Sequence, residues 1–599
     1  MHSHKKGNNF NHHHRKSRPN ILFVMVDQER FPTVYETKEL LEWRKKNLVA
    51  HELLRKNGLE FINHYAGSTA CSPSRTTLYT GQYPSLHGVT QTPGAAKQSF
   101  DPDVFWLDPN TVPTMGDYFR AAGYDTFWKG KWHASDEDLL IPGTKNAYPS
   151  YNPTTGIPDH AKEKLYEKAN RLDSFGFSDW IGPEPHGANS RNSGSSAGKG
   201  TSGRDEVYAA EVVELIKSLD EKAKCDCEET PWFIMCSLVN PHDIALYGIY
   251  AAHSPNFSFR VDPTLPFIQS ATTVGESLVT KPTVHESYRK AYPKILQPII
   301  DNNFYRQLYY SLMKKADEEM LTVLKALQQS SFYEDTIVVF TADHGEQLGA
   351  HGGLYQKWYT MYEESIHVPL IIHNPRLFPR NKSTDMLTSH VDILPTLLGL
   401  TGVYEDKIQK KLSKDHNEVH PLVGRNLKPL LHGEDKFCRA NEPLYFMTDD
   451  DISKGLHQTN QVTGKTYESV VQPSHIEAVI TKLETGISHT QEIWKFARYY
   501  DNPQFWSEPG VSDTVITDHD GSCVTAIKTE PVPEQFELYN LTKDPLEEIN
   551  LADPSLATEE SAIIQRRLEK ILYNQCRQKR LEPSSGDVPG MPPCGRDGK

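Results

Sequence analysis

Several short segments of this chain carry side chains able to bind a metal, exchange protons or hold an anion. In order they are Asp27-Gln28, Cys71-Ser-Pro-Ser-Arg75, Gly130-Lys-Trp-His133, Pro241-His-Asp243, Asp343-His-Gly345 and then Lys357. Each has a plain structural reading when taken singly. An aspartate at a strand end, such as Asp27, is more often a cap or turn residue than a metal ligand. Asp343-His344-Gly345 reads as a strand-ending turn, His242 as a loop cap, and Lys131 and His133 as solvated side chains. Pro73 suits the first turn of a helix starting near Cys71. The N-terminus of such a helix favours an anion beside residue 71.

The segments need elements to position them. The apolar runs Ile21–Val26, Tyr124–Trp128, Trp232–Val239 and Thr336–Thr341 each lead into one of the polar segments. Unbroken apolar runs predict strands buried on both faces. Helical spacing recurs between them, with Val207, Val212, Leu215, Ile216 and Leu219 in 205–223 and Leu308, Leu312, Met320, Val323, Leu324 and Leu327 in 305–329. Alternating strands and helices predict an α/β fold, with the polar segments at the carboxyl ends of strands, where such sheets take ligands. Residues 187–204 are rich in Gly and Ser and read as a mobile loop. Residues 245–300 read as a long insertion able to wall a substrate cleft. Alternating runs at 443–447, 475–480 and 493–500, then 536–540 and a helical stretch from about 558 to 580, predict an antiparallel sheet with a helix. The expected organisation is a disordered basic, His-rich tail (1–18), a catalytic domain (19–433), a C-terminal subdomain (434–581) and a disordered tail (582–599).

Joint occurrence in this order separates a functional reading from the plain ones. The set resembles the sulfatase family of the alkaline phosphatase superfamily over about residues 19 to 552, including Phe536-Glu-Leu-Tyr-Asn…Asp544-Pro…Asn550-Leu551 near the C-terminus. The resemblance implies an alkaline phosphatase-like large mixed sheet flanked by helices, with a smaller C-terminal domain. It implies that a formylglycine-generating enzyme oxidises Cys71 to formylglycine. One hydroxyl of its hydrate would attack sulfur and expel an alcohol, and loss of the second hydroxyl's proton would release sulfate.

By the same resemblance, Asp27, Gln28, Cys71, Asp343 and His344 would surround one divalent cation. Hard oxygen ligands suit Ca²⁺ first, or Mg²⁺, and the imidazole admits Mn²⁺ or Zn²⁺. Asp343 would serve as base. Arg75 would hold the diol oxygen and Lys131 the sulfate. His133 would orient the diol or take its second proton, and His242 and Lys357 would meet the leaving-group oxygen. Many sulfatases have two consecutive aspartates where this chain has Asp27-Gln28. The Asp-Gln and Asp-His pairs resemble the branch with choline sulfatases and phosphonate monoester hydrolases. A phosphonate monoester or phosphodiester hydrolase is therefore the alternative to a sulfuric ester hydrolase. A silent sulfated-glycan binder would be marked by loss of Cys71, Arg75 or Lys131, and all three are present. His351 reads equally as a substrate contact or a structural loop residue. Trp358, Tyr359 and Tyr362 read as core, and His285 and Arg289 as weaker substrate candidates.

Bulk properties bound the partners. The net charge of −14 argues against nucleic acid and anionic membranes, while leaving room for a basic pocket that takes a small sulfated sugar, choline-like or aryl ester. No apolar run is long enough to span a bilayer, and the N-terminus has no signal-peptide core, so a cytoplasmic location is expected. The eight cysteines are sparse and unpatterned, which indicates no disulfide framework. Nothing in the sequence gives the oligomeric state.

Overall fold

The run Ile21–Val26 is buried along its whole length, and its side chains alternate between two apolar clusters. Ile21, Phe23 and Met25 enter one cluster, and Leu22, Val24 and Val26 the other. Such placement requires a strand covered on both faces, and each of these side chains contributes about 1.5–3 kcal/mol by leaving water. In the computed structural model this run is β1 (Asn20–Asp27). The structure describes residues 18–584 other than 95, 103, 186–188, 195–202, 226–229, 254–256, 432–441, 454–457, 461, 486–489, 504–513, 518–522 and 527–530.

The main sheet adds β2 (Gly58–Tyr65), β3 (Asp125–Gly130), β4 (Trp232–Pro241), β5 (Thr336–Ala342), β6 (Leu370–His373) and β7 (Lys382–Ser389) in the order β3-β4-β1-β5-β6-β2-β7. Strands β3, β4, β1 and β5 run parallel, whereas β6 is antiparallel to both neighbours. The sheet is therefore mixed and flanked by helices. The four apolar runs of the sequence are those four parallel strands, and the helical patterns are the helices Arg204–Cys225 and Asn303–Gln329. Parallel neighbours in register bring their carboxyl ends together. Val26 pairs with Ala342, so Asp27 and Asp343 emerge side by side.

The C-terminal region forms an antiparallel sheet from β8 (Leu444–Thr448), β9 (His475–Thr485), β10 (Thr490–Tyr500) and β13 (Gln535–Asn540). A small ribbon of β11 (Thr514–Thr517) and β12 (Cys523–Ala526) lies between β10 and β13 in the chain. One face of the larger sheet packs on the helix Glu559–Lys579 through Ile564, Leu568 and Leu572. The other face, with Phe446, Ala478 and Tyr499, packs on Trp358, Tyr359 and Tyr362. Those three aromatics are core, and they also tether the segment that carries Lys357. Trp358 Nε1 donates to Asp450 at 3.1 Å and Tyr359 Oη to Asp451 at 2.5 Å.

Some expectations change. The part of the Gly/Ser-rich segment that is described is packed: Ser190, Arg191 and Asn192 are buried, and Gly194 N donates to Asp243 at 3.1 Å. The rest of that segment, most of both tails and the boundary near 434 lie outside the described residues. The insertion contains an unforeseen helix, Thr283–Ile295, with Pro293 inside it. Its described contacts run behind the loop carrying Lys357: His351 N donates to Thr273 Oγ1 and Arg289 to the Gly352 carbonyl. Cys576 is disulfide-bonded. Among the described residues no helix is long and apolar enough to cross a membrane.

His351 resolves as a structural residue. Its ring stacks on Tyr362 with centroids 3.5 Å apart, and its nitrogens lie 3.0 Å from Glu276 and 3.2 Å from Glu364. Glu547 of the C-terminal region is close by, with Lys495 at 2.7 Å from it, and Lys281 is 3.0 Å from Glu276. Burial opposes the charged imidazole, but Glu364 and Glu276 more than offset it and raise its pKa from 6.5 to about 9. A pKa raised on folding adds stability that is full below the unfolded value and is lost as pH rises through the folded one. The denaturant midpoint should therefore fall between pH 6.5 and about 9, and His351→Gln should flatten that fall. An equal slope in both proteins contradicts this account.

Candidate active site

The site is built at the carboxyl ends of β3, β4, β1 and β5, which deliver Lys131, His242, Asp27 and Asp343 from adjacent strands. Cys71 enters from the helix Cys71–Thr80, all of whose residues are buried and which Gly81 ends in the left-handed region at φ 64°. The helix N-terminus places Cys71 Sγ 3.2 Å from His344 Nε2, 3.4 Å from Lys357 Nζ and 3.7 Å from Asp27 Oδ1.

Arg75, one turn along that helix, is fully buried. Its Nε donates to Asp343 Oδ2 at 2.8 Å, and its terminal nitrogens donate to Asp27 Oδ2 at 3.0 Å and Ser237 Oγ at 2.9 Å. Lys131 Nζ reaches the same Asp27 oxygen at 2.5 Å. Each carboxylate is thus divided: Oδ2 faces the cations, and Oδ1 faces the pocket beside His344 Nε2, at 3.5 Å for Asp27 and 3.6 Å for Asp343. Burial pushes the Asp27 carboxyl up, but Lys131, His242 and Arg75 outweigh it and hold it well below the usual carboxylate range. Burial also opposes the Lys131 ammonium, yet Asp27 keeps it charged, with a pKa above its ordinary value.

His344 Nδ1 lies 2.9 Å from the Gly345 carbonyl and so carries the hydrogen. Burial brings its pKa down to about 4, against the pull of Asp343. The ring is therefore neutral, and the Nε2 lone pair points between two carboxylate oxygens with no proton to offer them. Two anionic oxygens, an imidazole lone pair and the Cys71 side chain all lie within 4.8 Å of one another, a donor set that fits a divalent cation. Gln28 belongs to the same corner: its N–H donates to Asp343 Oδ1 at 3.0 Å, and its Oε1 accepts from Lys357 Nζ at 3.0 Å.

His242 follows β4 and is partly exposed. Burial lowers its pKa, partly offset by Asp27. The strand end before it is pinned by Asp205, which accepts from Val239 N at 2.6 Å and Asn240 N at 3.0 Å.

Of the residues named from the sequence, the structure brings Asp27, Gln28, Cys71, Arg75, Lys131, Asp343, His344 and Lys357 into one cluster, with His242 against Cys71. The Arg75 guanidinium is engaged by the two carboxylates. The backbone N–H of His133 donates to Glu184 at 3.1 Å, and the ring lies 6.2 Å from Trp106, with a backbone φ of 57°. His285 is buried between Tyr362 and Tyr499, and neither it nor Arg289 reaches the cluster in any described contact. Sequence reasoning missed Ser237, bonded to Arg75, Glu346, bonded to Gln28, and Glu184, bonded to the backbone N–H of His133. Only Glu346 had a signal, since it follows Asp343-His-Gly directly.

An α/β sheet that gathers basic side chains, carboxylates and a helix N-terminus at its carboxyl edge offers a place for an anionic ligand. Comparison with known proteins makes this specific. Residues 19–403 match the Sulfatase family, and the chain belongs to that family of sulfate ester hydrolases in the alkaline phosphatase superfamily. It is 27% identical over 446 residues to the choline-sulfatase of Rhizobium meliloti, covering 70% of this chain and 72% of that one. It is 23% identical over 450 residues to the N-acetylglucosamine-6-O-sulfatase of Bacteroides thetaiotaomicron, covering 70% and 72%. The phosphonate monoester hydrolase of Agrobacterium radiobacter shares the fold with a TM-score of 0.56 at 19% identity, over 94% of this chain and 96% of that one.

Removing Arg75 leaves two carboxylates buried without their shared cation. Arg75→Met should destabilise the fold by about 3–5 kcal/mol, the usual cost of breaking a buried pair from one side, as read by urea unfolding at neutral pH. A loss below about 1 kcal/mol, the range of exposed pairs, contradicts the clamp.

Proposed function

We propose that the protein hydrolyses the sulfate monoester of a small alcohol (a sugar, choline-like or aryl ester) with a nucleophile derived from Cys71. The observation that carries this reading is the surround of Cys71 Sγ: His344, Lys357 and Asp27 lie within 3.7 Å, at the N-terminus of a buried helix. A thiol enclosed in this way by ligands and cations stands where the oxygen of a formylglycine hydrate would act.

After oxidation of residue 71 by a formylglycine-generating enzyme, one hydroxyl of the hydrate attacks sulfur and the ester's C–O oxygen leaves as the alcohol. Asp343 is the base for the attacking hydroxyl. Lys131 and the helix N-terminus attract the sulfate oxygens. His242 and Lys357 stabilise the departing oxygen by proton or positive charge. Loss of the second hydroxyl's proton breaks the bond to sulfate and restores the aldehyde, which water rehydrates. Arg75 holds Asp27 and Asp343 in place. Asp27, Asp343, His344, the residue 71 side chain and Gln28 would hold one divalent cation, Ca²⁺ first, which would supply positive charge for the sulfate oxygens. Arg75, Lys131 and Lys357 bring three basic side chains to this corner of an acidic chain, which suits a small anion.

The matured enzyme should turn over aryl sulfates with a higher kcat/KM than aryl phosphonate monoesters. A strong preference for the phosphonate over every sulfate tested would make this a phosphonate monoester hydrolase. Cys71→Ala and Asp343→Asn should each abolish turnover while leaving the fold intact by circular dichroism, and normal turnover in either removes its assigned role. Saturating Ca²⁺ or Mn²⁺ should raise the melting temperature of the wild type, because a ligand held only by the folded state adds about 2.7 kcal/mol at a hundredfold excess over Kd. Asp27→Asn should lose most of that rise, and an unchanged rise contradicts the assignment of Asp27.

A further inference from the structure

Glu346 is fully buried, four residues past the end of β5, and every contact given for its side chain is one in which it accepts. Its Oε1 accepts from Leu348 N at 2.9 Å and Gln356 N at 2.8 Å, and its Oε2 accepts from Gln28 Nε2. The two backbone bonds stitch the ends of a loop already closed by Gln347 N to the Gln356 carbonyl and Gly349 N to the Leu354 carbonyl. The residue after that loop is Lys357, whose Nζ donates to Gln28 Oε1 at 3.0 Å and lies 3.4 Å from Cys71 Sγ. Gln28 thus stands between an acceptor-only carboxylate and a donor-only ammonium. Only one of the two orientations of its amide satisfies both neighbours: nitrogen toward Glu346, oxygen toward Lys357. Such groups behind a ligand commonly set its orientation.

We propose that Glu346 is a positioning residue that fixes the polarity of the Gln28 amide, aiming its oxygen at Lys357 and at the cation corner beside residue 71. An amide oxygen has two lone pairs, so Gln28 can accept from Lys357 and still offer one to a cation. The proposal rests on the reading above that a cation binds here with Gln28 among its ligands. It adds that the absence of a second aspartate at position 28 is matched by a carboxylate placed behind it.

The polarity argument supplies its own test. In Glu346→Gln the new amide oxygen can keep both backbone N–H groups, so the loop stays closed. Its NH2 then meets the NH2 of Gln28, which must turn over and present a donor to Lys357 and to the cation. Combining Gln28→Glu with Glu346→Gln restores an acceptor at both contacts. Mn²⁺ binding to each purified protein by calorimetry, with melting temperature as a folding check, reads the effect apart from activity. Glu346→Gln should weaken Mn²⁺ binding by about tenfold or more and lower kcat on an aryl sulfate, and the double variant should recover Mn²⁺ affinity to at least the wild-type level. Wild-type affinity in the single variant, or no recovery in the double, overturns the proposal while leaving the cation reading intact. A wild-type protein that binds no Mn²⁺ overturns both.

Discussion

The site depends on one buried guanidinium. Arg75 holds Asp27 at the end of β1 and Asp343 just past the end of β5, and these strands are hydrogen-bonded neighbours. Two carboxylates emerging side by side repel one another, and an ion taken from water into the interior costs several kcal/mol unless it is paired. Arg75 offsets both costs through two of its nitrogens, and Lys131 adds a second cation on Asp27. The remaining oxygen of each carboxylate is left turned to the pocket. The Cys71–Thr80 helix carries Cys71 on its first turn and Arg75 on its second, so the fixing of the carboxylates also fixes the helix that presents residue 71.

The rest of the molecule works around this arrangement. Parallel order in β3-β4-β1-β5 puts four polar strand ends on one edge, and β4, β1 and β5 are buried along their whole length. The C-terminal sheet braces the opposite wall. Its inner face packs on Trp358, Tyr359 and Tyr362, and the His351 cluster joins the loop before Lys357 to Glu276 and Glu364, with Glu547 close by. The position of Lys357 is thereby set from three sides: by Gln28, by the aromatic tether and by the loop that Glu346 closes.

Much of this was legible because buried parallel strands leave unbroken apolar runs. Ile21–Val26 and Thr336–Thr341 could be read as strands, and the polar residue that ends each could be read as part of a site. Strands β2, β6 and β7 were not singled out: β2 and β7 mix polar and apolar residues, and β6 has only four residues. The site residues in short motifs were legible as a set, since order along the chain carries information that single residues lack. Their partners were not. That Arg75 would bind carboxylates, that His133 would sit with Glu184 and Trp106, and that His285 would be buried among tyrosines all depend on contacts between residues far apart in sequence. Position 351 shows the same limit, because only the fold reveals that two glutamates flank its ring.

The central claim is that the working group at position 71 is made from cysteine, and peptide mass spectrometry of protein from its native host tests it directly. The account predicts that the peptide spanning residue 71 carries an aldehyde in place of the thiol, that a hydrazide reagent captures it, and that the captured fraction tracks sulfatase activity. An unmodified cysteine in fully active protein would contradict it.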